Sequence, residues 1–355
     1  MIHRSNGFDG LRLVAASMVI FGHAFALTGQ AAIPAFLGSG IHAIGVKTFF
    51  VISGYLITRS WQSDPNLLHF WIKRLLRVMP GLIAVCLVTI FVLGPLTTVL
   101  PLSDYFRNSQ TFGYLWNIAL HPQYELPGVF EENVFPRAVN GSLWTLPVEI
   151  AMYCGVPLFV GLYRPAARFV VPAVACLLLA GSIYFLRIAP PTDLISFWGL
   201  NWIPTLDIDY YFYAGASIAV LRLDRFGNPL IAVALLVASN WIFSGPVPNE
   251  LALAVTLPYL VISLGKTKSA LLRRLEGNDF SYGVYLYGFP VQQTVVHFVG
   301  AQSALFNVAV SLSIAAVLGV ISWFVVEKRA LAFKPDRNDV KHAFNSRKVE
   351  ALDLK

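Results

Sequence analysis

The chain has 355 residues, of which 56% are hydrophobic and only 13% charged, with a formal net charge of +7. About a quarter of the residues in a soluble domain are charged, so this composition excludes an ordinary water-soluble globule and points to a polytopic membrane protein. Cys86, Cys154 and Cys176 all fall in apolar stretches, so no disulfide framework is expected, and no cleavable signal peptide is evident.

Ten segments are long and apolar enough to span, roughly 11–29, 41–61, 80–100, 142–163, 168–188, 207–222, 228–244, 249–265, 280–300 and 304–326. Those at 207–222 and 249–265 are the shortest for the purpose. The pattern predicts an all-α fold: a transmembrane helical bundle at residues 1–334 and a cytoplasmic tail at 335–355. One set of alternate loops holds Arg59, Lys73, Arg74, Arg77, Arg164, Arg168, Arg222, Arg225, Lys266, Lys268, Arg273 and Arg274, whereas the opposite set holds Arg107, Arg137 and Arg187. Arg4 precedes the first segment, and Lys328, Arg329 and Lys334 follow the last. By the positive-inside rule both termini are cytoplasmic. Topology thus accounts for the basic balance, and no nucleic-acid partner is implied. No internal repeat, heptad run or low-complexity tract is present.

In the first segment, FDGLRLVAASMVIFGHAF, Arg12 and His23 stand eleven residues apart. At ~100° per residue they share one helix face, separated by ~16 Å along the axis. An ionisable group inside a bilayer is a functional-site hypothesis by default, and a snorkelling arginine with a packed histidine is the plainer reading. Lys47, in GVKTFFVISGYLIT, poses the same choice in the second segment. In FWIKRLLRVMP, Arg74 and Arg77 are three apart and share a face of a short helix at the membrane surface. Two planar donor forks suit a phosphate or pyrophosphate, and ordinary lipid-headgroup binding suits them equally.

The longest outer segment, about 101–141, has an apolar stretch from Thr111 to Leu120 that is too short to span. Glu149 lies about two turns inside the outer end of the fourth segment. That depth brings it within reach of His23, whose imidazole a carboxylate would make more basic and hold in one tautomer. An arginine is the other candidate partner for Glu149. A second outer loop is rich in aromatics (Phe197, Trp198, Trp202), which read as interface anchors more readily than as a sugar platform. With Pro290 in the ninth segment, SYGVYLYGFPV is expected to line an internal cavity. Glu327 ends the last segment within reach of Arg12, Arg74, Arg77 or Lys328. His42 and His297 are weaker candidates for substrate contact.

Gly265-Lys266-Thr267 has the end of a P-loop, but Leu260 occupies its first glycine position. No Gly-x-Ser-x-Gly, His-Glu-x-x-His or Cys-x-x-Cys occurs, and no metal site is expected. Asn140-Gly141-Ser142 matches a glycosylation sequon.

From Phe8 to about Lys334 the chain resembles the acyltransferase 3 family of integral membrane acyltransferases, typified by bacterial O-acetyltransferases of cell-surface polysaccharides. Arg12 through His23 is similar to the family's Arg-x10-His motif, and FFVISGYLIT to its second-helix signature. Arg74-x-x-Arg77 resembles its Arg-x-x-Arg segment. NGSLWTLPVEIAMY resembles the motif that places Glu149 on an acidic position, and SYGVYLYGFPV and Glu327 resemble the two C-terminal signatures. The chain departs from the pattern at Gly288, where members often carry histidine, and at Ile150, where they often carry a second acid. Arg329 stands near a proline common in the family, and no hydrolase-like extracytoplasmic domain is expected.

The resemblance implies an O-acyltransferase of the bacterial inner membrane. It would use cytoplasmic acetyl-CoA to acylate a hydroxyl of a glycan or lipid-linked sugar, with succinyl-CoA as an alternative donor. His23 would be the base, with Glu149 and Arg12 completing the catalytic group. Arg74, Arg77 and Lys47 would hold the acyl-CoA, with Asp9, Ser53, Tyr55, Tyr282, Tyr285 and Glu327 in support. The competing class is a secondary transporter with Arg12, His23, Lys47 and Glu149 as its pathway. The missing inverted repeat counts against it.

Overall fold

The computed structural model describes residues 7–30, 32–162, 165–191, 196–267, 277–300 and 302–335. Arg4, Arg164, Lys268, Arg273, Arg274 and the expected tail beyond residue 335 lie outside these residues. Long helical segments occupy all ten apolar stretches. They are α1 (Gly7–Leu27), α2 (Ile41–Ser63), α3 (Leu67–Thr97), α4 (Thr145–Leu162), α5 (Ala167–Ile188), α6 (Leu206–Leu221), α7 (Pro229–Ile242), α8 (Pro246–Gly265), α9 (Ser281–Val299) and α10 (Ala304–Leu331).

Seven of them, α1 to α5, α8 and α10, are long and apolar enough to cross a membrane by length and composition, against the ten spans expected. α6 and α7 have 16 and 14 residues. α9 is more polar because it is interior. Its Gln292 donates to the Ile20 carbonyl, and Gln293 donates to the Phe135 and Ala138 carbonyls. A helix shielded by neighbours can carry polar groups that lipid would penalise.

The stretch expected as a short surface helix at 70–80 is instead the first part of α3, which runs unbroken through Pro80. The Asn66 side chain caps its start by accepting from the His69 amide. Arg74 and Arg77 therefore project from the same rigid rod that enters the bundle.

α2 is the central helix, packed on α6, α1 and α8. The α2–α6 approach needs bare backbone: a Cβ on Gly54 would lie 1.8 Å from the Phe212 carbonyl oxygen, and one on Gly215 would lie 2.2 Å from that of Val51. Small residues permit such contact, and dispersion and polar contacts at close range are what hold membrane helices together. Around this core the outer faces of α5 and α7 leave large apolar side chains exposed, among them Leu177, Leu230 and Trp241, the surface a lipid-solvated bundle presents.

Among the described residues two small antiparallel hairpins interrupt the otherwise helical pattern. β1 (Ala35–Phe36) pairs with β2 (Ser39–Gly40) between α1 and α2, and β3 (Ser196–Phe197) pairs with β4 (Leu200–Asn201) ahead of α6. Both turns have two positive-φ residues, Leu37–Gly38 and Trp198–Gly199, as tight primed turns require. The first hairpin seats Ser39 beside Lys47. The Thr111–Leu120 stretch forms short helical turns packed on α3.

Candidate functional site

A cavity of about 600 Å³ opens among α1, α2, α3, α4 and α9. At one end stand Arg59, Lys73, Lys266 and Lys334, from loops and helix ends on the face that carries the basic loops. The other end is closed by Val46, Phe49, Thr145 and Tyr285. Its wall includes nine of the residues singled out in the sequence: Asp9, Arg12, Ser53, Tyr55, Arg74, Arg77, Glu149, Tyr282 and Tyr285. They come from five separate helices.

The charges along this wall are unequally engaged. Asp279, just ahead of α9, bridges two arginines, lying 3.0 Å from Arg12 and 2.5 Å from Arg77. Its other oxygen accepts from the Ser281 hydroxyl and amide. Burial raises the Asp279 carboxyl, but the Arg77 and Arg12 guanidiniums outweigh it and hold the group below the ordinary carboxylate range. Arg12 also pairs with Asp9, and Arg77 with the buried Glu327 at 3.5 Å, which selects Arg77 among the partners considered for that acid. Glu327 accepts from Ser322 as well.

Arg74 differs: it forms no ion pair or hydrogen bond among the described residues, and its Nε is buried without a partner. Its guanidinium lies 5.9 Å from the Phe70 ring centre. At the mouth Lys73 is held by Asp64 at 2.6 Å, and Lys266 by Asp224, also at 2.6 Å. Tyr55 donates to the same Asp224. Burial raises the Asp224 carboxyl, while hydrogen bonds from Lys266 and Tyr55 carry it below its usual range.

Glu149 accepts from Ser53 at 3.0 Å and from Tyr153, both on the cavity side. The expected meeting of Glu149 with His23 does not occur. The His23 ring faces His42 and Phe289, with centroids 5.6 and 5.3 Å away. It lies beyond the closed end of the cavity.

Lys47 is also outside. Its side chain is fully buried among Asp207 at 3.0 Å, Glu250 at 3.6 Å and Ser39 at 3.2 Å, and its ammonium lies 5.0 Å from the Tyr211 ring centre. Arg187 completes the cluster through Glu250 at 3.0 Å. Tyr282 and Tyr285 each donate to a backbone carbonyl, those of Val78 and Ser142, and so pin α9 to α3 and to the start of α4. His297 packs on Phe130 and Phe298, away from the cavity.

Sequence reasoning passed over Asp279, Tyr153 and Asp224, and the acids around Lys47. Asp279 had one readable signal: an acid in a basic loop, two residues before the Ser281 that opens a family-like motif. Among the described residues, no group of three or more His, Cys, Asp or Glu side chains is placed to hold a metal ion.

The structure is that of a helical membrane protein with a cavity lined from five helices and bordered by arginines, lysines and the acids that hold several of them. Comparison with known proteins defines it further. The family model described as an acyltransferase domain matches residues 5–327, and the chain belongs to that family. The protein is an acyltransferase. It is 29% identical over 338 residues to the O-acetyl transferase of Shigella phage Sf6, covering 93% of this chain and 97% of that one. It is 29% identical over 366 residues to Nodulation protein 10 of Rhizobium leguminosarum bv. viciae, covering 94% of each. A shorter match, 30% identical over 173 residues, covers 43% of this chain and 24% of O-acetyltransferase OatA of Staphylococcus aureus. No solved structure matches.

Proposed function

We propose that this protein is an O-acetyltransferase of the bacterial inner membrane with both termini in the cytoplasm. In this reading it takes acetyl from acetyl-CoA entering on the basic face and delivers it to a hydroxyl of a surface or secreted glycan on the other. The observation that carries the reading is the cavity: it has lysines and arginines at one end and the uncharged Val46, Phe49, Thr145 and Tyr285 at the other, on the side toward His23. Its volume lies within the ~300–1,000 Å³ usual for small-molecule sites. The O-acetyltransferase names of two relatives favour acetyl over succinyl.

Arg74 supplies the unengaged guanidinium for the donor's phosphates, while Asp279 keeps Arg12 and Arg77 in fixed positions that shape the wall. Glu149, held by Ser53 and Tyr153, lines the passage and orders the polar side of the donor arm. Lys47, outside the cavity, has no part in holding the donor. In the transfer a ring nitrogen of His23 takes the proton of the acceptor hydroxyl while its oxygen attacks the thioester carbonyl. The carbon–sulfur bond breaks, the acetyl ester forms, and CoA leaves as a thiolate that the imidazolium reprotonates.

The test is the O-acetyl content of surface glycans, by NMR, in cells carrying wild-type or His23→Ala protein at equal membrane levels. Loss of an acetyl signal in the variant is the expected result. Unchanged acetylation, where deletion of the whole gene abolishes it, would remove His23 as the base.

A further inference from the structure

We infer that His42 is a second catalytic imidazole, and that His23 and His42 together form the seat of the acceptor hydroxyl. The inference rests on the proposed acetyl transfer and adds to it a residue and a binding geometry.

The pair occupies the right place. On α2 the deepest cavity residue is Val46, and His42 lies one turn further out. On α9 the cavity ends at Tyr285, and Phe289, which walls the His23 ring, is likewise one turn further. Both steps are ~6 Å along a helix axis. The two imidazoles therefore sit just past the closed end of the donor cavity, where a thioester held at that end meets a group arriving from the opposite face. Both histidines are half-buried residues.

The pair is also chemically unfinished. Neither ring has a hydrogen-bond partner among the described residues, and His42 Nδ1 is buried without one. A buried ring nitrogen left bare costs free energy unless something arrives to satisfy it. One hydroxyl oxygen bonded to a nitrogen of each ring needs those nitrogens within ~5.6 Å, twice an ordinary hydrogen-bond length of ~2.8 Å. With centroids 5.6 Å apart at an interplanar angle of 38°, ring nitrogens on the facing edges come within that reach.

The backbone is shaped for this approach. A Cβ on Gly22 would lie 2.7 Å from both Cβ and N of His42, and one on Gly40 would lie 2.8 Å from its Cε1. Gly22 lets α1 and α2 close at this level, and Gly40 leaves room for the His42 ring.

The division of labour follows from the balance of the step. A neutral imidazole offers one N–H and one bare nitrogen. His23 accepts the hydroxyl proton as the new carbon–oxygen bond forms. His42 donates its N–H to the same oxygen and holds its lone pair toward the thioester. The proton on His23 leaves with the CoA thiolate, and both rings return neutral. No other co-reactant is required.

The experiment uses the full-length protein in lipid nanodiscs, radiolabelled acetyl-CoA, and base-deacetylated surface glycan from the producing cells as acceptor. His42→Gln, His42→Ala, His23→Ala and the double alanine variant are compared, each confirmed folded by its melting temperature. Loss of a positioned acid–base group lowers kcat by ~100-fold or more, so His42→Gln and His42→Ala are each expected to fall that far. The KM for acetyl-CoA should stay near wild type, because His42 lies beyond the cavity. The double variant should be no slower than His23→Ala alone, since residues acting as a unit are not additive. A His42→Gln enzyme with wild-type kcat overturns the inference, as does a double variant slowed by the product of the single effects. Wild-type protein that transfers nothing from acetyl-CoA overturns the acetyl-transfer reading and this inference with it.

Discussion

Lys47→Met tests whether the buried lysine is a structural counter-ion or a ligand of the donor. The substitution keeps most of the stem and removes the charge. Removing one partner of a buried pair costs ~3–5 kcal/mol, because the other charge is stranded. The structure narrows that range. Glu250 keeps Arg187 at 3.0 Å, so the stranded acid is Asp207, whose side chain is 20% exposed. Partial hydration places the loss near the lower end, ~3 kcal/mol, or a fall in Tm of ~6–12 °C by the scaling of soluble domains. Adding Asp207→Asn removes the stranded charge and should recover most of the loss. The assay is the Tm of the detergent-solubilised protein, followed by size-exclusion chromatography, together with titration of acetyl-CoA. Affinity should be unchanged, because Lys47 does not line the cavity. A Tm within ~2 °C of wild type, less than ~1 kcal/mol by the same scaling, would refute the structural assignment. Unchanged stability with a tenfold weaker donor affinity would return Lys47 to the binding site.

Arg74→Ala should raise the KM for acetyl-CoA ~10–100-fold, the equivalent of one charge-assisted hydrogen bond to phosphate, with a smaller effect on kcat. Steady-state kinetics at equal protein level decide it, and an unchanged KM would exclude Arg74 as the phosphate ligand. Asp64 bears on acid stability. Burial raises its carboxyl, but hydrogen bonds from Lys73 and His69 hold it below its usual range. A depressed carboxyl contributes stability above its unfolded value of ~3.9 and loses it as pH falls through the folded value. The Tm gap between wild type and Asp64→Asn should therefore be level from pH 5 to 8 and close below pH ~4; a gap that closes near neutrality would contradict this. Gly54→Ala should abolish the monodisperse protein on size exclusion, since its Cβ would meet the Phe212 carbonyl at 1.8 Å, whereas Gly181→Ala, with 3.6 Å to its nearest atom, should be harmless. Equal behaviour of the two variants would undercut the α2–α6 packing.

What the sequence by itself determined is local. Apolar length located all ten helical segments, because lipid and a packed bundle make the same demand on each run of residues. Helical periodicity put Arg74 with Arg77 on one face, and motif spacing marked Arg12 and Glu149, all four of which line the cavity. The membrane-crossing set was less legible, since α6 and α7 have only 16 and 14 residues and α9 carries glutamines that its neighbours satisfy.

Partnership was decided only by the tertiary structure. His23 and Glu149 lie at compatible depths, yet depth says nothing about which helices adjoin. Gly22 of α1 lets His42 approach the helix that carries His23, while Ser53 on α2 and Tyr153 on α4 itself hold Glu149. Lys47 looks like a cavity cation along the chain and proves to be enclosed by acids from α6 and α8. Asp279, remote in sequence from both Arg12 and Arg77, joins them because α1 and α3 both pack on the end of α9 that it precedes. A side chain's face follows from its position in one helix. Its partner follows from how several helices pack, and that is set by backbone contacts such as Gly54 on Phe212.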